Sequence, residues 1–130
     1  MSRNWMPDDY STISPYLVVT DGQAVIDFMK DAFGGRQLRR YDAPDGSLLH
    51  AEVRIGNSVV MLGQANDHVP AVHAHVHVYV EDVDAVFRRA VDAGGIAVQE
   101  PKEQEGDPDR RGGVRDPGGN TWWISTQVHA

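Results

Sequence analysis

The sequence predicts an α+β domain made of two like halves, each a strand, a helix and three further strands. Three observations predict it. The order of apolar-alternating strand, amphipathic helix and more strands runs from Thr12 to Gly63 and again from Ala74 to Thr126. Each helical stretch stops at a glycine pair, Gly34-Gly35 and Gly94-Gly95. Each helix carries a single apolar face, so each must lie on one side of a sheet and leave the sheet's other side for something else. Two copies are too few for a solenoid, which needs about three or more repeats to bury a continuous core. The pattern therefore implies one domain over residues 1–130 with repeats at about 12–63 and 74–126, joined by a linker at 64–73. Two βαβββ modules would form concave mixed half-sheets with helices on the convex side, and the half-sheets can face each other across a cleft.

In the first half, TISPYLVV alternates as a strand and leads into GQAVIDFMKDAF. There Val25, Phe28, Met29, Ala32 and Phe33 recur at helical spacing, with Gln23, Asp27, Lys30 and Asp31 on the other face. Asp21 precedes the helix as a cap, where a carboxylate meets the free amides of the first turn. RQLRRYD at 36–42 reads as a polar peripheral strand. SLLHAEVRI at 47–55 alternates, sending Leu49, Ala51, Val53 and Ile55 to one side and His50, Glu52 and Arg54 to the other. Gly56-Asn57 is a hairpin turn into SVVMLG, which sets Glu52 near Met61 across the ladder.

The second half opens with AHVHVYV, where an early strand start would put His73, His75 and His77 on one face with Tyr79 beyond. The helix DVDAVFRRAVDA follows, capped by Asp82, with Val83, Val86, Phe87, Ala90 and Val91 on its apolar face. IAVQ, RGGVR and NTWWIST are the remaining strands, the last two joined through Asp116–Asn120. No periodicity organises Pro101 to Asp109, so this polar segment reads as a loop at the rim of a site.

Composition narrows the function classes. The chain has 130 residues and no cysteine, which removes thiolate nucleophiles, thiolate ligands and disulfides together and suits a reducing cytoplasm. A net charge of −7 argues against a nucleic-acid partner. The basic cluster Arg110, Arg111 and Arg115 is offset by Glu103, Glu105, Asp107, Asp109 and Asp116. No stretch approaches the roughly 18 apolar residues of a membrane span, and MSRNWMPDDYS has no apolar signal core. A cytoplasmic protein with no membrane partner is the expectation.

Four stretches, SPYLVVTDGQAVIDFMKDAFGG, HAEVRIGNSVVML, HVYVEDVDAVFRRAVDAGG and VRDPGGNTWWIST, resemble the vicinal oxygen chelate superfamily. That superfamily includes glyoxalases, extradiol dioxygenases and bleomycin-resistance proteins, and the likeness is strongest to its PhnB-like branch. The resemblance implies the glyoxalase/bleomycin-resistance fold, a homodimer whose paired sheets complete the clefts, and a small-molecule ligand. It places the metal-ligand positions of catalytic members at Ser14, Met61 or its neighbour Val60, His75 and Trp123, of which only His75 can bind a metal. A metal-free binder that sequesters a partly aromatic ligand is therefore the primary expectation, with no cofactor. The alternative is a glyoxalase-like lyase, isomerase or dioxygenase with zinc, nickel or iron on a non-standard set, His75 and His77 with Glu52 or His50.

The resemblance marks Met61, His75 and Trp123 as lining the cleft, strand parity adds Tyr16, His50, Glu52, His77 and Tyr79, and Tyr41 lies on the polar second strand; these nine are the candidate ligand-binding residues. Val18 shares the face of Tyr16. His50 and Glu52 are also the candidate general-base pair, two residues apart on one face. Adjacent strand residues point oppositely, so one of Trp122 and Trp123 faces the helices, and the alignment assigns Trp123 to the cleft as a stacking wall. Asp109-Arg110 can either bridge the loop or clamp an anionic group, a charged surface pair being the commoner arrangement.

Overall fold

The computed structural model describes residues 4–130. Its elements are β1 (Tyr16–Val19), α1 (Gly22–Phe33), β2 (Arg36–Asp42), β3 (Leu48–Ile55), β4 (Ser58–Gln64), β5 (His75–Tyr79), α2 (Val83–Asp92), β6 (Ile96–Glu103), β7 (Asp109–Arg115) and β8 (Thr121–Gln127). This is the predicted strand-helix-three-strand order, twice. One sheet runs β1-β4-β3-β2 and the other β5-β8-β7-β6. In each half the helix carries the chain to the far edge of the sheet. The next three strands return as an antiparallel meander, leaving the last strand parallel to the first.

Both helices start and stop as local chemistry dictates. The side chains of Asp21 and Asp82 accept from the amides of Ala24 and Ala85, each at 3.1 Å. α1 ends at Gly34, whose φ of 69° suits a residue without a Cβ and whose N–H returns to the Lys30 carbonyl at 3.0 Å.

One apolar cluster serves both halves. Val25, Ile26, Phe28, Met29 and Ala32 of α1 join Val83, Val86, Phe87 and Ala90 of α2 and the inward residues of both sheets. Trp122 on β8 is 1% exposed. Its ring centroid lies 4.9 Å from that of Phe33 and 6.4 Å from that of Phe28, so the first-half helix packs on a second-half strand. The helices thus lie within a core shared by both sheets, and each sheet turns its other face away from that core. Within one chain the two half-sheets thus meet through their helix-covered faces and not across a cleft between their open ones.

Several expected boundaries move. Leu48 is 7% exposed and Leu49 is 51% exposed, the reverse of the alternation argument, because the β2–β3 pairing slips where Tyr41 opposes His50 but Asp42 opposes Leu48. Such a bulge inverts the phase on one side of it. β5 begins at His75, so His73 stays outside the strand, with its ring close to Gly119. β6 extends to Glu103 and β7 begins at Asp109, which shortens the polar loop to 104–108. Val91 is exposed, leaving the apolar face of α2 one residue narrower.

The β7–β8 hairpin is locked by a buried carboxylate. Asp116 accepts from the amides of Gly118 at 2.8 Å and Asn120 at 3.0 Å and from the indole N–H of Trp122 at 2.8 Å. Removing that acceptor strands donors that water does not reach, at about 1–3 kcal/mol for each one left unpaired. Asp116→Ala is therefore expected to lower stability by about 3 kcal/mol in urea titrations.

Candidate functional site

The open face of the first sheet is set by its register. Tyr16 lies beside Met61 and Met61 opposite Glu52, while Gly63 lies opposite His50 and His50 opposite Tyr41. All five predicted residues of this half thus share one surface. A continuous hydrogen-bond chain crosses it. Tyr10 donates its hydroxyl to Glu52 Oε1, His50 Nε2 lies 2.7 Å from Glu52 Oε2, and His50 Nδ1 lies 3.2 Å from the Tyr16 hydroxyl. The Tyr16 and Tyr41 rings flank the imidazole with centroids at 5.6 and 5.9 Å. Arg39 sits 5.4 Å above the Tyr10 ring, a cation–π contact, and Arg54 donates to the Asp9 carbonyl, so the N-terminal segment is strapped across this face.

Glu52 is 4% exposed. Burial alone would raise its pKa, but the hydrogen bonds from Tyr10 and His50 and the positive charges nearby outweigh burial and hold it below the usual glutamate value. A carboxyl depressed in the folded state contributes stability that is present above its unfolded pKa and is lost as pH falls through the folded value. Tyr10→Phe removes one of the holding donors. It is expected to cost about 1.5 kcal/mol near neutral pH and to move the acid loss of melting temperature to higher pH, as a thermal titration would show.

The open face of the second sheet is built differently. His77 lies beside Trp123 and Trp123 opposite Gly113, and Tyr79 lies beside Ser125 and Ser125 opposite Arg111. Trp122 faces the core and Trp123 the open side, as parity and alignment expect. A Cβ on Gly113 would come 2.7 Å from Cζ3 of Trp123, so the indole lies directly on the strand backbone. Trp123 Nε1 donates to His75 Nδ1 at 3.1 Å, while the ring planes differ by 6° and their centroids stand 6.2 Å apart. A short in-plane hydrogen bond between parallel rings at that spacing means that they lie side by side, not one above the other. His75 and Trp123 form one flat aromatic platform.

Beyond it runs a charged network. Ser125 Oγ lies 3.0 Å from His77 Nε2 and accepts from Arg111 Nε at 2.9 Å. Arg111 also donates to Asp107 at 2.8 Å and Asp109 at 3.2 Å, and Tyr79 donates to Asp109 at 2.7 Å. Burial and the Arg111 charge keep the His77 pKa below its ordinary value against the opposing pull of Asp109. Asp109 and Arg110 do not act as a pair. Arg110 turns to the core side and holds Asp84 of α2 through two 2.9 Å bonds. The arginine on the open face is Arg111, which sequence reasoning left in a surface cluster although the hairpin register about Asp116–Asn120 sets it opposite Ser125. Tyr10 was missed for a different reason: it lies in no strand, and periodicity is silent there.

The residues at the superfamily's metal positions do not fit a divalent ion. Ser14 precedes β1 with its hydroxyl 3.3 Å from that of Ser11, Met61 offers a thioether, Val60 points into the core, and the Trp123 N–H takes the His75 Nδ1 lone pair. The alternative set is divided, since Glu52 lies on one open face and His75 and His77 on the other. Among the described residues, no three His, Asp or Glu side chains group so as to hold a metal ion.

The model of the Glyoxalase/Bleomycin resistance protein/Dioxygenase superfamily matches residues 11–124. An uncharacterised protein of Mycobacterium bovis is 38% identical, the match covering 89% of this chain and 83% of that protein. Among solved structures, TioX of Micromonospora sp. ML1 superposes with a TM-score of 0.71 at 28% identity, covering 92% of this chain and 98% of that one. The antibiotic binding protein TnmS3 of Streptomyces sp. CB03234 shares the fold with a TM-score of 0.67 at 19% identity, covering 90% of this chain and 97% of its own.

Proposed function

The chain belongs to the glyoxalase/bleomycin resistance protein/dioxygenase superfamily, and from that premise we propose that it binds a planar, partly aromatic small molecule without a metal, in clefts shared between two copies of itself. The observation that carries this reading is the coplanar His75–Trp123 platform, a flat, partly exposed surface seated on backbone. Aromatic faces of this kind reward offset stacking by a planar ring beyond the area buried. Arg111 is matched by Asp107 and Asp109, so the network beside the platform supplies hydrogen-bonding groups rather than net charge.

Neither open face encloses a ligand alone, because the two point away from the common core. A two-fold pair of chains would set the relay face of one against the platform face of the other and make two equivalent clefts. Tyr16, Tyr41, His50, Glu52 and Met61 would then line one wall and His75, His77, Tyr79 and Trp123 the other. A resistance or sequestration role in the cytoplasm suits such a site, and an antibiotic binding protein shares the fold. No nucleic-acid partner is proposed, given the net charge of −7. No helix among the described residues is long and apolar enough to cross a membrane.

Titration with a fused two-ring probe such as quinoline, followed by tryptophan fluorescence, tests the platform. Trp123→Ala is expected to weaken binding by about 1–3 kcal/mol. Gly113→Ala should weaken it too, because the new methyl lifts the indole from its seat. Affinity unchanged in both variants would remove the platform from the site. Light scattering should report a dimer at micromolar concentration. Metal analysis discriminates the enzyme alternative: stoichiometric zinc, nickel or iron, with a melting temperature raised by added metal in the wild type but not in His75→Ala or Glu52→Gln, would favour a metal-dependent lyase, isomerase or dioxygenase.

A further inference from the structure

The first open face carries more apparatus than a wall requires. Glu52 is a nearly fully buried carboxylate with both oxygens engaged, Oε1 by the Tyr10 hydroxyl and Oε2 by His50 Nε2 at 2.7 Å. An imidazole that donates through Nε2 to such a carboxylate presents its Nδ1 lone pair elsewhere, and here Nδ1 meets the Tyr16 hydroxyl at 3.2 Å. Tyr16 is 53% exposed, and its ring overlies Gly63, where a Cβ would come 2.5 Å from the hydroxyl oxygen. The phenol is thereby held between His50 and the open face. The chain of donors and acceptors runs from a buried negative charge to a single accessible hydroxyl.

From this geometry we infer that Tyr16, His50 and Glu52 form a metal-independent proton relay that accepts the acidic proton of a phenolic or enolic hydroxyl on the bound molecule and holds that molecule as its oxyanion. The step balances within the site. The ligand O–H bond breaks and its proton passes to the Tyr16 oxygen, while the proton of Tyr16 passes to His50 Nδ1. An imidazolium results, facing the buried Glu52 carboxylate, and the ligand oxyanion accepts a hydrogen bond from the re-formed Tyr16 hydroxyl. No electron is transferred; the protein gains the one proton that the ligand loses, and none is exchanged with solvent. Tyr10 is a positioning residue, since of the three relay groups its hydroxyl meets only Glu52.

The surroundings favour this direction. Facing His50 are Glu52 on its own strand, Tyr16 from β1 and Tyr41 from β2, while β4 presents Gly63. Tyr10 approaches from the N-terminal segment with Arg39 against its ring, and Arg54 is turned to the Asp9 carbonyl. The one full charge in hydrogen-bond contact with His50 is therefore the negative one of Glu52, 2.7 Å from Nε2.

This inference rests on the reading that the cleft takes an aromatic ring, and the experiment separates the two. The probes are 4-nitrophenol, whose phenolate has its own visible band, and 4-nitroanisole, which has the same ring and no acidic proton. Both are titrated into the dimer at a pH one unit below the free phenol's pKa, with binding followed by equilibrium dialysis and ionisation by absorbance. Bound 4-nitrophenol is expected to show about a tenfold higher phenolate-to-phenol ratio than the free compound, a one-unit shift. The excess should vanish in His50→Gln and in Glu52→Gln and shrink in Tyr16→Phe. Tyr16 is exposed, His50 is half-buried and neither belongs to the apolar core, which guards the result should Glu52→Gln destabilise the protein. Bound 4-nitrophenol with no excess phenolate, or with the same excess in His50→Gln, overturns the relay and leaves the ring-binding reading intact. Failure of both probes to bind overturns the two together.

Discussion

Trp122 is the constraint on which the arrangement of the molecule depends. Its indole rises from a second-half strand into the side chains of the first-half helix, beside Phe28 and Phe33, and its N–H is held by the buried Asp116 carboxylate. One residue thereby fixes the distance between two modules that could otherwise each fold around a small, poorly sealed core. Because the join is made through the helices, both sheets bury the same kind of face and expose the same kind. Two open faces, each turned away from the shared core, are the geometric result.

Those surfaces are chemically unlike, although the halves have the same topology. The first is a line of hydrogen bonds ending in a buried carboxylate; the second is a flat pair of rings beside an arginine neutralised by two aspartates. Neither leaves loose ends, for among the described residues no buried side-chain nitrogen or oxygen lacks a partner. Full satisfaction matters here because a polar group in a partly dry site costs more unpaired than it contributes paired. It also means that the residues meet a ligand already oriented.

Much of this was legible in the sequence, and the reasons for the remainder are specific. Helices were readable because Val25, Phe28, Met29 and Ala32 repeat at a spacing no strand can use, with Asp21 and Gly34 marking the ends. Strand parity placed His50 and Glu52 on one face and separated Trp122 from Trp123, since alternation is a property of the backbone. It failed at Leu49, where a bulge shifts the phase and nothing local announces it. It also gave no access to Tyr10, whose position depends on a segment that pairs with no strand, nor to the hydrogen bond that makes His75 and Trp123 one plane. Contacts between residues distant in sequence are decided by packing, and a single sequence displays the propensities of its pieces more readily than their meeting points.

Each open face seats one ring on a glycine: Tyr16 over Gly63 and Trp123 over Gly113. With no Cβ beneath it, each ring rests against the ladder and is denied most of the rotamers that an exposed aromatic would sample. The entropy of ordering these rings is spent when the chain folds, not when a ligand arrives. Recognition on such a surface approaches rigid-body docking, so that related molecules would differ in how long they stay more than in how fast they bind.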